Sequence, residues 1–245
     1  MVRFYQKKPL AFSLMWIVAY VVLLSAADNA SAALGVAKSV TAPVALLLTG
    51  LLLLFLKSQG LMEEYGLCPL KGRARDFLYF LPLAGLVSCN LWHGAALTAS
   101  AGEAVLFVVS MLCVGFLEEV IFRGLLFKAM CRDGSVKSAV AVSSVTFGLG
   151  HIVNLLNGAE LAGTLLQIAY AAALGYLFVT IFRRGGSLLP CILAHGVNNS
   201  LSLVGVEGSR ASAIATAAIL CAVSLGYALW IERKTEKKDF GIPAQ

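Results

Sequence analysis

The chain has 245 residues, 59% of them hydrophobic and only 13% charged, with a mean hydropathy of +0.85. A soluble domain normally carries about 25% charged residues, so a water-exposed globular surface is excluded. The net charge of +6 is spread through short connections, and no solvated basic domain exists to hold DNA or RNA.

The apolar residues come in runs of about 20, the length that crosses roughly 30 Å of hydrocarbon. Eight such runs can be placed, at 10–26, 40–56, 77–97, 104–130, 138–156, 161–182, 188–204 and 213–231. The expected fold is an all-α polytopic bundle, a single integral membrane domain over 1–245.

The first run follows Lys7 and Lys8 and is followed by Ala30-Ser31-Ala32, a pattern that a cleavable signal peptide shares. Cleavage would leave seven spans; the run is long enough to cross and is read here as the first span. The connection after span two is the longest, broken by Gly60, Gly66, Pro69 and Gly72. Its acidic pair, Glu63-Glu64, reads as a solvated patch. The six cysteines are scattered with no CxxC pair and read as small buried hydrophobes.

With the N-terminus assigned to the cytoplasm, 16 of the 19 Lys and Arg residues fall in inside segments. Lys38 and Arg210 fall outside, and Arg123 lies within span four. This is the positive-inside pattern, and it places both termini in the cytoplasm. Short loops and a compact chain suggest a bacterial plasma membrane protein.

Span four carries the sequence Glu118-Glu119-Val120-Ile121-Phe122-Arg123-Gly124. Ionisable side chains at bilayer depth cost a few kcal/mol or more, and they need partners or a water-filled cavity. Glu119 and Arg123 are four residues apart, share a helix face and are expected to pair. Glu118 is rotated by about 100° and is free to face a cavity. Span five adds His151 and Asn154, span six Gln167, and span seven His195, Asn198 and Asn199. Glu118 lies about 15 Å from the edge marked by Lys128, His195 about 16 Å from Arg184, and His151 about 21 Å from Lys137. Three helices thus bring carboxylates and imidazoles to one level, slightly to the cytoplasmic side of centre, which predicts substrate access from that side. His93 lies near the outer end of span three and is left out. Gly148 and Gly150, beside His151, would let a neighbouring helix approach.

Carboxylates with histidines can activate water in two ways. In one, Glu118 takes a proton from a water that His151 also holds, while His195 and Asn199 stabilise the developing oxyanion. In the other, Zn²⁺ sits on His151, His195 and a glutamate such as Glu118, with an open position for water. Both hydrolyse an amide, and the HExxH helix of soluble zinc proteases is absent.

Glu118-Glu119-xxx-Arg123, then Phe147-xxx-His151, then His195-xxx-Asn199 resembles the CPBP family over about 104–203. That family includes type II CAAX prenyl endopeptidases and bacterial bacteriocin-processing or immunity-type (Abi) membrane proteases. The resemblance implies an α-helical intramembrane protease, often labelled a metalloprotease. It makes Glu118 the general base, His151 its partner on the water, His195 and Asn199 the oxyanion side, and Arg123 the support of Glu119. The expected substrate is a membrane-anchored peptide, such as a bacteriocin or signalling-peptide precursor, with membrane lipid as the other partner. Two other readings stand beside it. One is a non-catalytic immunity or scaffold protein; the other is a small proton-coupled transporter using the same groups as a relay.

Overall fold

A computed structural model describes residues 1–70 and 80–234, and it is all-helical over them. Lys71, Arg73 and Arg75, the start of the third predicted span (77–79), and Lys237 and Lys238 lie outside the described residues. Helix α1 is Val2–Lys7, α2 Pro9–Ala33, α3 Thr41–Ser58 and α4 Pro82–Val87, the last continuing as a 3₁₀ turn, Ser88–Leu91. The second half comprises α5 Ala101–Glu119, a π-helical segment Val120–Leu126, α6 Phe127–Asp133 and α7 Val136–Gly150 with a 3₁₀ turn His151–Leu155. It ends with α8 Leu161–Gly185, α9 Leu189–Leu201 and α10 Arg210–Lys234.

Local chemistry sets these boundaries. Pro9 and Pro190 sit in the first turns of α2 and α9, where a missing N–H costs nothing. A capping box between Ser100 and Glu103 starts α5, and Gly186, at φ +69°, ends α8. Between α2 and α3, the Ser31 hydroxyl accepts from the Val40 and Thr41 amides at 3.0 and 3.2 Å. Asp28 receives the Thr41 hydroxyl at 2.6 Å and the Lys38 ammonium at 2.7 Å.

Among the described residues, six stretches are long and apolar enough to cross a membrane: Pro9–Ala33, Thr41–Ser58, Ala101–Arg132, Val136–Leu155, Leu161–Gly185 and Arg210–Lys234. They carry exposed apolar side chains outward, such as Val18, Leu47, Leu54 and Leu229, as lipid-facing helices do. Of the other two predicted spans, the third contains the apolar helix Pro82–Leu91 among the described residues, and the seventh is a 13-residue helix about 20 Å long. Polar groups tie these two pieces together. The Asn198 amide donates to the Val87 carbonyl at 2.9 Å, and the Asn90 amide to the Asn198 carbonyl at 2.7 Å. Beyond them the backbone pairs once, between Ala95 and Gly205.

Helix α8 lies between α7 and α10, while α5 is held by α3 and α9. One end of the bundle is closed by an aromatic cluster. Tyr5, Phe12, Phe55 and Tyr65 interlock edge-on or tilted at 5.1–6.5 Å between ring centroids. The loop after α3 folds onto this end rather than into solvent. Tyr65 is 2% exposed, Lys128 donates to the Glu64 carbonyl, and the Leu188 amide donates to the Gly66 carbonyl at 2.8 Å. Burial and the Tyr5 hydroxyl beside it hold the Tyr65 phenol well above its ordinary range. The Glu64 side chain pairs with Arg132 at 3.4 Å and stays exposed.

The α5–α9 crossing is a backbone contact. A Cβ on Gly115 would lie 2.6 Å from the Gly196 nitrogen and 2.7 Å from its Cα, so only glycine permits this approach. Gly115→Ala is expected to lose about 1–3 kcal/mol, the range for overpacking, in reversible unfolding from detergent micelles. Gly50→Ala, in α3 with nothing within 4 Å of its Cβ, should gain about 0.5–1 kcal/mol in the same assay, as for glycine in a helix interior.

Candidate active site

The close contact of α5 and α9 puts His195 directly beside the two glutamates. His195 Nδ1 is 2.8 Å from Glu119 Oε1, and Nε2 is 3.3 Å from Glu118 Oε2. Glu119 Oε1 also faces Arg123 Nη1 at 3.2 Å, and both of those side chains are fully buried. The guanidinium carbon lies 3.9 Å from the centre of the Phe147 ring, a desolvated cation–π contact. Phe147 in turn meets both histidines edge-on, with ring centroids at 5.2 Å from His151 and 5.7 Å from His195.

The π-helical segment begins immediately after Glu119. A π turn leaves carbonyls misaligned with the helix ladder, and one of them, on Phe122, accepts the Ser143 hydroxyl at 2.9 Å. Ser143 thereby stabilises the turn that aims Arg123 back at Glu119.

Glu118 faces the other way, toward a cavity of about 330 Å³ lined also by Tyr20, His151, Asn154, Gln167 and Asn199. The Tyr20 hydroxyl donates to Glu118 Oε1 at 2.6 Å, so one carboxylate oxygen is held by α2 and the other faces His195. A smaller cavity of about 70 Å³ adjoins it and shares His151 and Asn199, with His195 in its wall. His151 starts the 3₁₀ turn after α7, and its Nδ1 lies 3.1 Å from the Phe147 carbonyl. If Nδ1 donates there, Nε2 is left as the ring's acceptor.

All six sequence-predicted residues therefore converge on one region. Glu119, Arg123 and His195 form its buried base; Glu118, His151 and Asn199 line the cavity. His195 bridges both carboxylates and also lines the smaller cavity with Asn199. Asn198 and Asn154 have structural partners, the latter donating to Gln167 at 2.9 Å. His93 lies outside the site, near Thr216 at 3.2 Å. Of the two glycines expected to admit a neighbour, Gly148 does so against Ile168 and Ala172, while Gly150 meets only the tip of Phe122 at 4.0 Å.

Two features escaped the sequence reading. Tyr20 is an amphipathic side chain in an apolar run, and nothing in that run points to Glu118, 98 positions away. The Gly115–Gly196 contact joins helices distant in sequence, and either glycine alone is unremarkable in a span.

The larger cavity does not run toward the aromatic end. From Glu118 it reaches Asp28, Lys38, Asn157 and Ser202, the end opposite Tyr65, Lys128 and Arg132. Among the described residues, Tyr5, Phe12, Phe55 and Tyr65 pack across the basic end.

No three His, Cys, Asp or Glu side chains group as metal ligands among the described residues, His151 included.

Residues 100–201 match the family described as type II CAAX prenyl endopeptidase Rce1-like. The match contains the three motifs, and the family resemblance read from them stands. At the family level this supports an intramembrane protease of the CAAX type, and with the apolar helices it makes the chain an integral membrane protein. No curated protein and no solved structure matches the chain.

Arg123→Met would leave Glu119 buried without its cation. Breaking a buried pair in this way costs about 3–5 kcal/mol, expected as a lower unfolding midpoint in detergent. Glu118→Gln, at a side chain that meets the cavity, should shift that midpoint far less.

Proposed function

We propose that this protein is an endopeptidase that hydrolyses a peptide bond of a membrane-associated peptide with water activated by Glu118. The observation that carries the reading is the division of labour between adjacent carboxylates. Glu119 is neutralised by Arg123 in the fully buried base, while Glu118 meets a polar cavity that also exposes an imidazole and an amide.

Glu118 takes a proton from a water in the cavity, and the resulting hydroxide attacks the scissile carbonyl. His151, across the same cavity, orients that water. Asn199 offers its amide N–H to the carbonyl oxygen as negative charge develops there. Collapse of the tetrahedral species breaks the C–N bond, and Glu118 returns its proton to the leaving amine. Tyr20 holds the Glu118 carboxylate in plane and acts as a positioning residue. His195, as an imidazolium, donates from Nδ1 to Glu119 and from Nε2 to Glu118 and steadies the base from the other side. Every proton in this cycle moves between water, Glu118 and substrate, and no step passes through a metal.

Burial supports the substrate class. A cavity inside a bundle of lipid-facing helices receives a peptide already held at the membrane, such as the precursor of a bacteriocin or a signalling peptide. The bacterial plasma membrane is the setting proposed for it.

Comparing membrane peptides from cells carrying wild-type and Glu118→Gln protein tests the activity and finds the substrate together. Loss of the general base should lower cleavage by about 10²–10⁴-fold at unchanged protein level. Tyr20→Phe should lower kcat with little change in KM. Cleavage that survives Glu118→Gln would return the protein to a scaffold role.

The metal question has its own test. Cleavage is expected to persist after exhaustive treatment with a zinc chelator, measured on purified protein in micelles. Activity lost with one equivalent of zinc, and regained on adding it back, would defeat the metal-free route.

A further inference from the structure

Resting on the protease reading, we propose that Gln167 is a further catalytic residue, whose side-chain amide donates to the scissile carbonyl oxygen beside Asn199. Gln167 stands in an apolar stretch of α8, between Leu165-Leu166 and Ile168-Ala169. A polar group in such a helix is costly unless it meets a partner or a cavity. The side chain is half-buried and lines both cavities, as do His151 and Asn199. The amide therefore stands at the junction where the attacked carbonyl sits.

Three features put it there and fix how it points. Gly148 lets α8 close on α7: a Cβ on it would lie 2.7 Å from the Ile168 carbonyl oxygen and 2.8 Å from the Ala172 side chain. His151 and Asn154 are three residues apart in the 3₁₀ turn His151–Leu155, so their side chains leave the same face. Asn154 donates from Nδ2 to Gln167 Oε1 at 2.9 Å, which draws the Gln167 amide alongside His151.

That bond also decides what Gln167 offers. A side-chain amide has one acceptor oxygen and two donor hydrogens, and Asn154 engages the oxygen. Nε2 has no partner among the described residues, so its N–H groups are left for a ligand in the cavity. Donors held in place before the reaction stabilise the charge that appears on a carbonyl oxygen in the transition state. Asn198, at the same junction, is engaged elsewhere, donating to the Val87 carbonyl at 2.9 Å. Asn154 keeps the donor end of Gln167 turned inward and is a positioning residue.

The test uses full-length protein in micelles and a quenched-fluorescent form of the membrane peptide whose cleavage depends on Glu118. Gln167→Met removes the donor at similar volume and is expected to lower kcat by about 10²–10³-fold, with KM unchanged. Gln167→Glu keeps the oxygen that Asn154 binds, guards against a folding defect, and should lose rate in the same way. A phosphinic analogue of the same peptide, which carries tetrahedral oxygens, should bind Gln167→Met more weakly by a similar factor. Asn154→Leu should lower kcat less, and adding it to Gln167→Met should change nothing further, because Asn154 acts through Gln167. An unchanged kcat, a raised KM with kcat intact, or losses that multiply in the double variant would overturn the proposal. If no membrane peptide depends on Glu118, the protease reading fails and this role with it. A Glu118-dependent peptide cut at the wild-type rate by Gln167→Met defeats only the role of Gln167.

Discussion

A charged carboxylate inside a lipid-embedded bundle needs a counter-charge at contact distance, and the Glu119–Arg123 pair supplies it. Neither side chain retains any exposure. The pair is anchored on three sides: by the aromatic ring of Phe147 under the guanidinium, by His195 on the shared carboxylate oxygen, and by the π turn that carries Arg123. Glu119 Oε2 has no hydrogen-bond partner among the described residues, which leaves Arg123 and His195 as the groups that balance its charge.

The rest of the site is built outward from that pair. With Glu119 neutralised, its neighbour Glu118 can remain beside it and turn to the cavity. Two adjacent glutamates would otherwise repel each other in a medium that screens poorly. Chain order alone separates their environments, since successive helix positions differ by about 100°. One carboxylate is closed in an ion pair and the other meets the cavity.

The two ends of the bundle are equally unlike. Among the described residues, aromatic edges, a folded-back loop and a buried lysine pack the basic end. Amides and a neutral ion pair line the cavity toward the other.

The apolar runs, the charge alternation and the i, i+4 spacing of Glu119 and Arg123 are local properties, so the sequence by itself determined the all-helical membrane class and the paired glutamate and arginine. It also marked His151, His195 and Asn199, because polar groups in hydrocarbon are costly enough to stand out in any span. Tertiary structure alone decided that His195 sits between both glutamates, that Tyr20 holds Glu118, and that the cavity leads away from the basic end. Each of these depends on which helices touch, and the Gly115–Gly196 contact that brings α5 against α9 is set by the shape of the whole bundle rather than by any pattern along one helix.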